Sequence, residues 1–344
     1  MERLAGQIGR VAGMLGVGLV LLSPQLALAE HHKSAAMVER SYIDATRPIK
    51  PTMGFAGSAT RRLDVKVWRP SGEGPFPLII YTHGTFGYAA NAMHFVNALV
   101  DAGYVVAAAE YPLTSSKAFT KVSFADISDT SQQVRDISFI IDSLLADPAL
   151  GKLIDKDRIG TTGHSLGGVA SYFASFGAKT RDPRIKATAP IAGGDPVQTA
   201  LDNAMGFNGA GHAAVSVPVL FLQADKDVFA RMTGGLHAAY ARVEGPKYQL
   251  LLKGGYHIAF RDGDDRHPQG KNPDCLFFEK NMPSMTVPGC EGPGEFMSPA
   301  RQQEITRAAL VTFFDAYLKR DAAALERLRG LDEGLGDVAL VYEE

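Results

Sequence analysis

Positive charge is nowhere concentrated in this sequence: 35 Lys and Arg residues stand against 37 Asp and Glu, for a net charge of −2. Phosphate binding needs a clustered basic footprint, so nucleic acid is excluded as a partner. Internal repeats and low-complexity segments are also lacking, and with 46% hydrophobic and 21% charged residues neither disorder nor a fibrous structure is indicated. No apolar run reaches the roughly 20 residues that span a bilayer. Cysteine occurs only as Cys275 and Cys290, which limits the chain to one internal bridge, and tryptophan only as Trp68.

What is present is a composition able to bury a large core. A chain of 344 residues admits two domains, but one sheet with helices around it also holds this length, and a single domain is the reading adopted. The N-terminus differs from the rest. Arg3 and Arg10 precede the run VAGMLGVGLVLL, and Ala27-Leu28-Ala29 places small residues where a signal peptidase cuts. This predicts a secretory signal over residues 1–29, a mature protein that is secreted or periplasmic, and no stable membrane anchor after cleavage. The alternative, an anchor, needs a longer apolar run. Loss of Glu2, Arg3 and Arg10 takes the net charge from −2 to −3. Two cysteines in an oxidising compartment predict a Cys275–Cys290 disulfide, with free buried thiols as the alternative; closing a loop of about 15 residues stabilises by roughly 3 kcal/mol.

Residues 30–60 read as a polar, partly ordered arm, 61–330 as the folded domain and 331–344 as a tail. Within the domain, LDVKVWR (63–69) alternates as a half-buried strand does. LIIYT (78–82) and YVVAAAE (104–110) are continuous apolar runs, the mark of strands covered on both faces. Val134, Ile137, Ile141, Leu144 and Leu145 recur at helical spacing between Thr130 and Asp147. Strands over 158–163, 185–192, 217–224 and 248–254 follow, interleaved with helices, and Ser298-Pro299 opens a last helix. Such alternation predicts an α/β fold with a mostly parallel central sheet and helices on both faces. Residues 194–215 and 258–297 lack clear periodicity and read as long functional loops.

Chemistry enters at TTGHSLGG (161–168). Ser165 falls where a strand ends and a helix begins, between Gly163 and Gly167, which is the setting of a nucleophile elbow. A serine hydroxyl attacks only if a base takes its proton, so a histidine is required, with an acid to orient it. Of nine histidines, His257 follows a buried strand and the pair Gly254-Gly255, at the edge of the sheet where such sites gather. The acid comes from VLFLQADKDVF: Asp227, followed by apolar Val228 and Phe229, is assigned, with Asp225 as the fallback. The loop HGTFG (83–87) after the strand LIIYT frees backbone N–H groups for an oxyanion hole made by Thr85 and Leu166, with Phe86 as the alternative to Thr85.

The segments FPLIIYTHGTFG, DKDRIGTTGHSLGG, VPVLFLQADKDVF, GGYHIAF and FFDAYLKRD resemble the α/β-hydrolase superfamily over nearly the whole mature length. Within it the chain is similar to exported dienelactone-hydrolase-like and platelet-activating-factor-acetylhydrolase-like serine esterases, although dienelactone hydrolases carry a cysteine where this chain has Ser165. The resemblance implies the α/β-hydrolase fold and hydrolysis of a small-molecule or lipid carboxylic ester. Acyl transfer, lipase or polyester hydrolysis through the same residues is the alternative, and a non-catalytic scaffold the third. A lipase lid would need a long apolar insertion, which is absent, and a polyester hydrolase usually has a tryptophan platform. No cofactor or metal is called for; the acids at 262–265 lack a full calcium ligand set and read as a solvated loop. Oligomeric state is not readable from the sequence.

Overall fold

A computed structural model describes residues 36–344 apart from 53, 119–125, 194–200, 210, 234, 264–265 and 282. The expected signal segment 1–29 lies outside the described residues. Strands β1 (Ala36–Asp44), β2 (Arg61–Arg69), β3 (Phe76–Thr82), β4 (Val105–Glu110), β5 (Ile154–His164), β6 (Ile185–Ile191), β7 (Val219–Ala224), β8 (Lys247–Leu252) and β9 (Val338–Glu343) form one sheet in the order β1-β2-β4-β3-β5-β6-β7-β8-β9. Strands β3 to β8 run parallel, while β1, β2 and β9 pair antiparallel at the edges.

The continuous apolar strands explain the two covered faces. On β3, Ile79 and Tyr81 point to one core, while Leu78 and Ile80 point to the other. The first core is closed by α1 (Met93–Asp101) on the same side as the C-terminal helices, the second by α2 (Thr130–Ala146) and α3 (Leu166–Phe176). Shorter helices α4 (Leu201–Ala204), α5 (Val228–Thr233), α6 (Gly235–Arg242) and α7 (Cys275–Asn281) follow, then α8 (Pro299–Leu318) and α9 (Ala322–Arg329) against the first core. Helix α2 buries Val134, Ile137, Ile140, Ile141 and Leu144, each worth about 1.5–3 kcal/mol. Ser298 caps α8 by accepting the Arg301 N–H, with Pro299 in the first turn, as the sequence predicts.

Two expectations are corrected. The arm expected over 30–60 contains β1, paired with β2 from Ala36↔Arg69 to Asp44↔Arg61, and the tail expected over 331–344 contains β9, paired with β8. Both are edge strands. The pairing of an edge strand is set by a partner far along the chain and not by its own pattern.

Arg61, only 1% exposed, donates to both carboxylates of Asp129 and Asp136, at 2.6–2.9 Å, which locks β2 to the start of α2. Arg47 reaches the same Asp136 at 2.8 Å. Burial pushes the Asp129 carboxyl up to about 6 in spite of the Arg61 charge beside it.

Candidate active site

The C-terminal ends of parallel strands β3, β5, β7 and β8 lie along one edge of the sheet, and each carries one of the expected groups. After β5 the chain turns into α3 within one residue, Ser165, whose φ of 58° and ψ of −121° lie outside the regions a side chain prefers. This turn is tight enough to demand its glycines. A Cβ on Gly163 would lie 2.2 Å from the Gly167 carbonyl oxygen, and one on Gly167 would lie 1.8 Å from that of Thr82. Gly84, on the loop after β3, is held as close: a Cβ there would come within 2.9 Å of Ser165 Cβ.

Past β7 and β8, Asp227 and His257 are both buried, and Asp227 Oδ2 accepts from His257 Nδ1 at 2.7 Å. The second Asp227 oxygen accepts the Ala230 N–H at 2.8 Å. Asp225, the fallback acid, is engaged elsewhere: its Oδ1 accepts the Gly254 N–H at 2.6 Å. Burial opposes charge on His257, but the Asp227 carboxylate, through its charge and hydrogen bond, and then Asp274 outweigh it, so the imidazole is held above its ordinary value. No hydrogen bond joins Ser165 Oγ to His257 among the described residues; such bonds tighten when substrate binds.

Of the oxyanion candidates, Phe86 is occupied, because its N–H donates to Thr114 O at 2.8 Å. The N–H groups of Thr85 and Leu166 donate to no carbonyl among the described residues, and Leu166 begins α3, where unsatisfied N–H groups favour a negative charge. Beside them runs an aromatic surface: the Phe86 ring meets Phe277 at 5.8 Å, Phe277 meets Phe229 at 5.7 Å, and Phe229 lies 4.6 Å from the His257 ring. All three phenyl rings are half-buried.

Three buried residues beside these groups are not singled out by the sequence. His83 is fully buried, donates from Nδ1 to Gly84 O at 2.8 Å and accepts the Tyr111 N–H at Nε2, so it fixes the Thr85 loop. His164, adjacent to the serine, packs its ring 4.6 Å from that of His257 and bonds the His257 carbonyl at 3.0 Å. Asp274 is also fully buried beneath His257. The only sequence signal for it is the neighbouring Cys275. The disulfide Cys275–Cys290 is present and ties down the segment that carries Asp274 and Phe277. Reductant is expected to lower the melting temperature, since an opened loop of about 15 residues regains roughly 3 kcal/mol of chain entropy; an unchanged melt in dithiothreitol would count against that contribution. Asp262, expected in a solvated loop, instead accepts the N–H groups of Met93 and His94 and the His94 ring at 2.8 Å, capping α1.

Burial pushes His83 down to about 4, so the folded protein resists a proton that the unfolded chain takes up near 6.5. Its neutral form therefore contributes stability that is complete above 6.5 and lost as pH falls toward 4, about 3 kcal/mol in all. The urea-derived stability advantage of wild type over His83→Asn should shrink by about that amount between pH 7.5 and pH 4. An advantage independent of pH would show that His83 is not held neutral.

The sheet order and the helices on its two faces make this a protein of the α/β-hydrolase fold. Residues 59–210 match the S15 family described as X-Pro dipeptidyl-peptidase. That stretch holds the Thr85 loop and the Ser165 elbow but not Asp227 or His257. The chain is similar to Lipase 1 of Moraxella sp. (strain TA144), 22% identical over 130 residues, covering 38% of this chain and 35% of the lipase. The match thus spans about a third of that relative's length. It is also similar in structure to a ferulic acid esterase from Streptomyces cinnamoneus, with a TM-score of 0.63 and 20% identity over 92% of this chain and 98% of the other. No helix among the described residues is long and apolar enough to cross a membrane.

Proposed function

We propose that the protein is a secreted or periplasmic serine carboxylesterase. Ser165 Oγ attacks the ester carbonyl while His257 Nε2 takes its proton, and Asp227 holds the imidazole by Nδ1 and stabilises its positive charge. The Thr85 and Leu166 N–H groups receive the oxyanion. Collapse of the tetrahedral intermediate expels the alcohol, which regains the proton from His257; water then attacks the acyl-enzyme by the same route and releases the acid. The single observation that carries this reading is the 2.7 Å Asp227–His257 bond at the sheet edge that also bears the Ser165 elbow. The Phe86, Phe277 and Phe229 surface favours an apolar acyl or alcohol group, in line with the dienelactone-hydrolase-like and acetylhydrolase-like resemblance. The test is hydrolysis of p-nitrophenyl esters from acetate to palmitate, with a burst of p-nitrophenol marking the acyl-enzyme. Absence of turnover along the whole series would reject the reading.

The match to the S15 family over 59–210 favours a second reading, cleavage of an X-Pro amide by the same groups. Turnover of Ala-Pro-p-nitroanilide with inert p-nitrophenyl esters would select it.

For either substrate His257 must start neutral. Because its folded value is raised above 6.5, kcat/KM is expected to fall as pH drops, with a midpoint above 6.5. A profile flat from pH 5 to 8 would remove His257 from the role of base.

A further inference from the structure

The Asp227–His257 pair joins two separate loops, one after β7 and one after β8, which meet through the main-chain bonds Asp225 N–H to Leu252 O at 3.1 Å and Lys226 N–H to Gly255 O at 3.0 Å. A third segment ties the two loops together at and beside the pair itself. Asp274 Oδ2 accepts the N–H of His257 itself at 3.0 Å and that of Val228, next to the acid, at 3.2 Å; Asp274 Oδ1 accepts the Ile258 N–H at 3.0 Å. Three donors on two loops, those of Val228 and His257 buried and that of Ile258 half-buried, thus share one carboxylate, and none of them is served by a main-chain carbonyl.

Asp274 is held in turn. Its backbone N–H donates to Asn272 Oδ1 at 3.0 Å, and Asn272 Nδ2 donates to Lys226 O at 2.6 Å, so the segment is bolted to the Asp227 loop through both residues. Asn272 and Asp274 are 2% and 0% exposed. Immediately after them, Cys275 enters α7 and the disulfide to Cys290.

We propose that Asp274 is a positioning residue of the active site, whose carboxylate clamps the Asp227 and His257 loops in register and adds a second negative charge beneath the imidazole. The proposal rests on the triad reading above. Two consequences separate this role from a purely structural one. The charge faces an imidazole whose other ionisable neighbours are Asp227 on the β7 loop, His164 at the end of β5 and Arg261 on its own loop, and among these Asp274 favours the protonated ring together with Asp227. The clamp acts on proton transfer, which follows substrate binding, so it governs kcat more than KM.

Burial pushes the Asp274 carboxyl up to about 6 against the pull of His257 and the two backbone N–H groups, which leaves it charged in the neutral range where the base must work. Asp274→Asn keeps the shape, removes the charge and exchanges one acceptor for a donor facing main-chain N–H.

The experiment compares wild type and Asp274→Asn by p-nitrophenyl butyrate kinetics across pH, labelling with a fluorophosphonate, and thermal melting. The expected result is a fall in kcat of about 100-fold with little change in KM, and an acid limb of kcat/KM moved down by about one pH unit. A variant that melts lower but keeps kcat and the acid limb of the wild type would overturn the proposal. If Asp274→Asn does not fold, Asn272→Ala carries the test, since it releases the clamp and keeps the charge: kcat should fall by about 10-fold with the acid limb unmoved, and an unchanged kcat would overturn it. A wild type that the fluorophosphonate does not label would overturn the triad reading and this proposal with it, whereas normal labelling of both proteins at equal rates would overturn this proposal alone.

Discussion

Ser165→Ala is expected to lower kcat for a p-nitrophenyl ester by about 10⁴- to 10⁶-fold and to leave KM within a few fold. The size follows from what the hydroxyl supplies. In the proposed mechanism it forms the covalent bond that divides one difficult displacement into two easier ones. Alanine also tolerates the backbone poorly at a φ of 58°, but the strained turn is held by the Ser165 N–H to Ile191 O bond at 2.9 Å and by the close packing of Gly163 and Gly167. Folding should survive, so loss of turnover can be assigned to chemistry. The residual rate would come from the Thr85 and Leu166 N–H groups and from substrate binding. A variant with more than about a tenth of the wild-type rate would show that another group is the nucleophile.

The largest expected effect on stability lies where β2 meets the start of α2. Arg61→Ala would leave Asp129 and Asp136 buried without the guanidinium that donates five hydrogen bonds to them. Breaking a buried ion pair from one side is destabilising by about 3–5 kcal/mol, because the remaining charge stays in a medium that cannot solvate it. For a domain of this size the fall in Tm is on the order of 10 °C. The loss should depend on pH in a definite direction. Asp129 is already pushed up to about 6 by burial with Arg61 present, and without that charge it would rise further. A raised carboxyl favours the folded state when protonated, so the deficit of Arg61→Ala should be smaller at pH 5 than at pH 8. A loss below about 1 kcal/mol, or one that grows on acidification, would mean that Arg47 or solvent satisfies the two carboxylates.

The parts of the fold legible in the sequence are those where one local rule decides. LIIYT, VVAAAE and VLFLQA are apolar at nearly every position, and a strand of that kind can only be buried on both faces. The spacing of Val134, Ile137 and Ile141 can only serve one face of a helix, and all three are buried. Strands β1 and β9 escaped because their pairing at the sheet edges is set by partners far along the chain, not by their own pattern. In the site, the turn at Ser165 was legible because it forces glycines on either side, and the places of Asp227 and His257 because they follow parallel strands. Asp274 was not, since a carboxylate ahead of a cysteine looks like any loop acid until the loop is folded.

By itself, the sequence determined a parallel α/β core and the residues at its strand ends, because burial pattern and turn geometry act over a few neighbouring residues. Only the tertiary structure decided that Asp227 rather than Asp225 meets His257, that the Phe86 N–H is occupied by Thr114, and that Asp274 bridges both loops. Each is a hydrogen bond between segments distant in the chain, and its direction and length are fixed only when the sheet brings those segments within about 3 Å of one another.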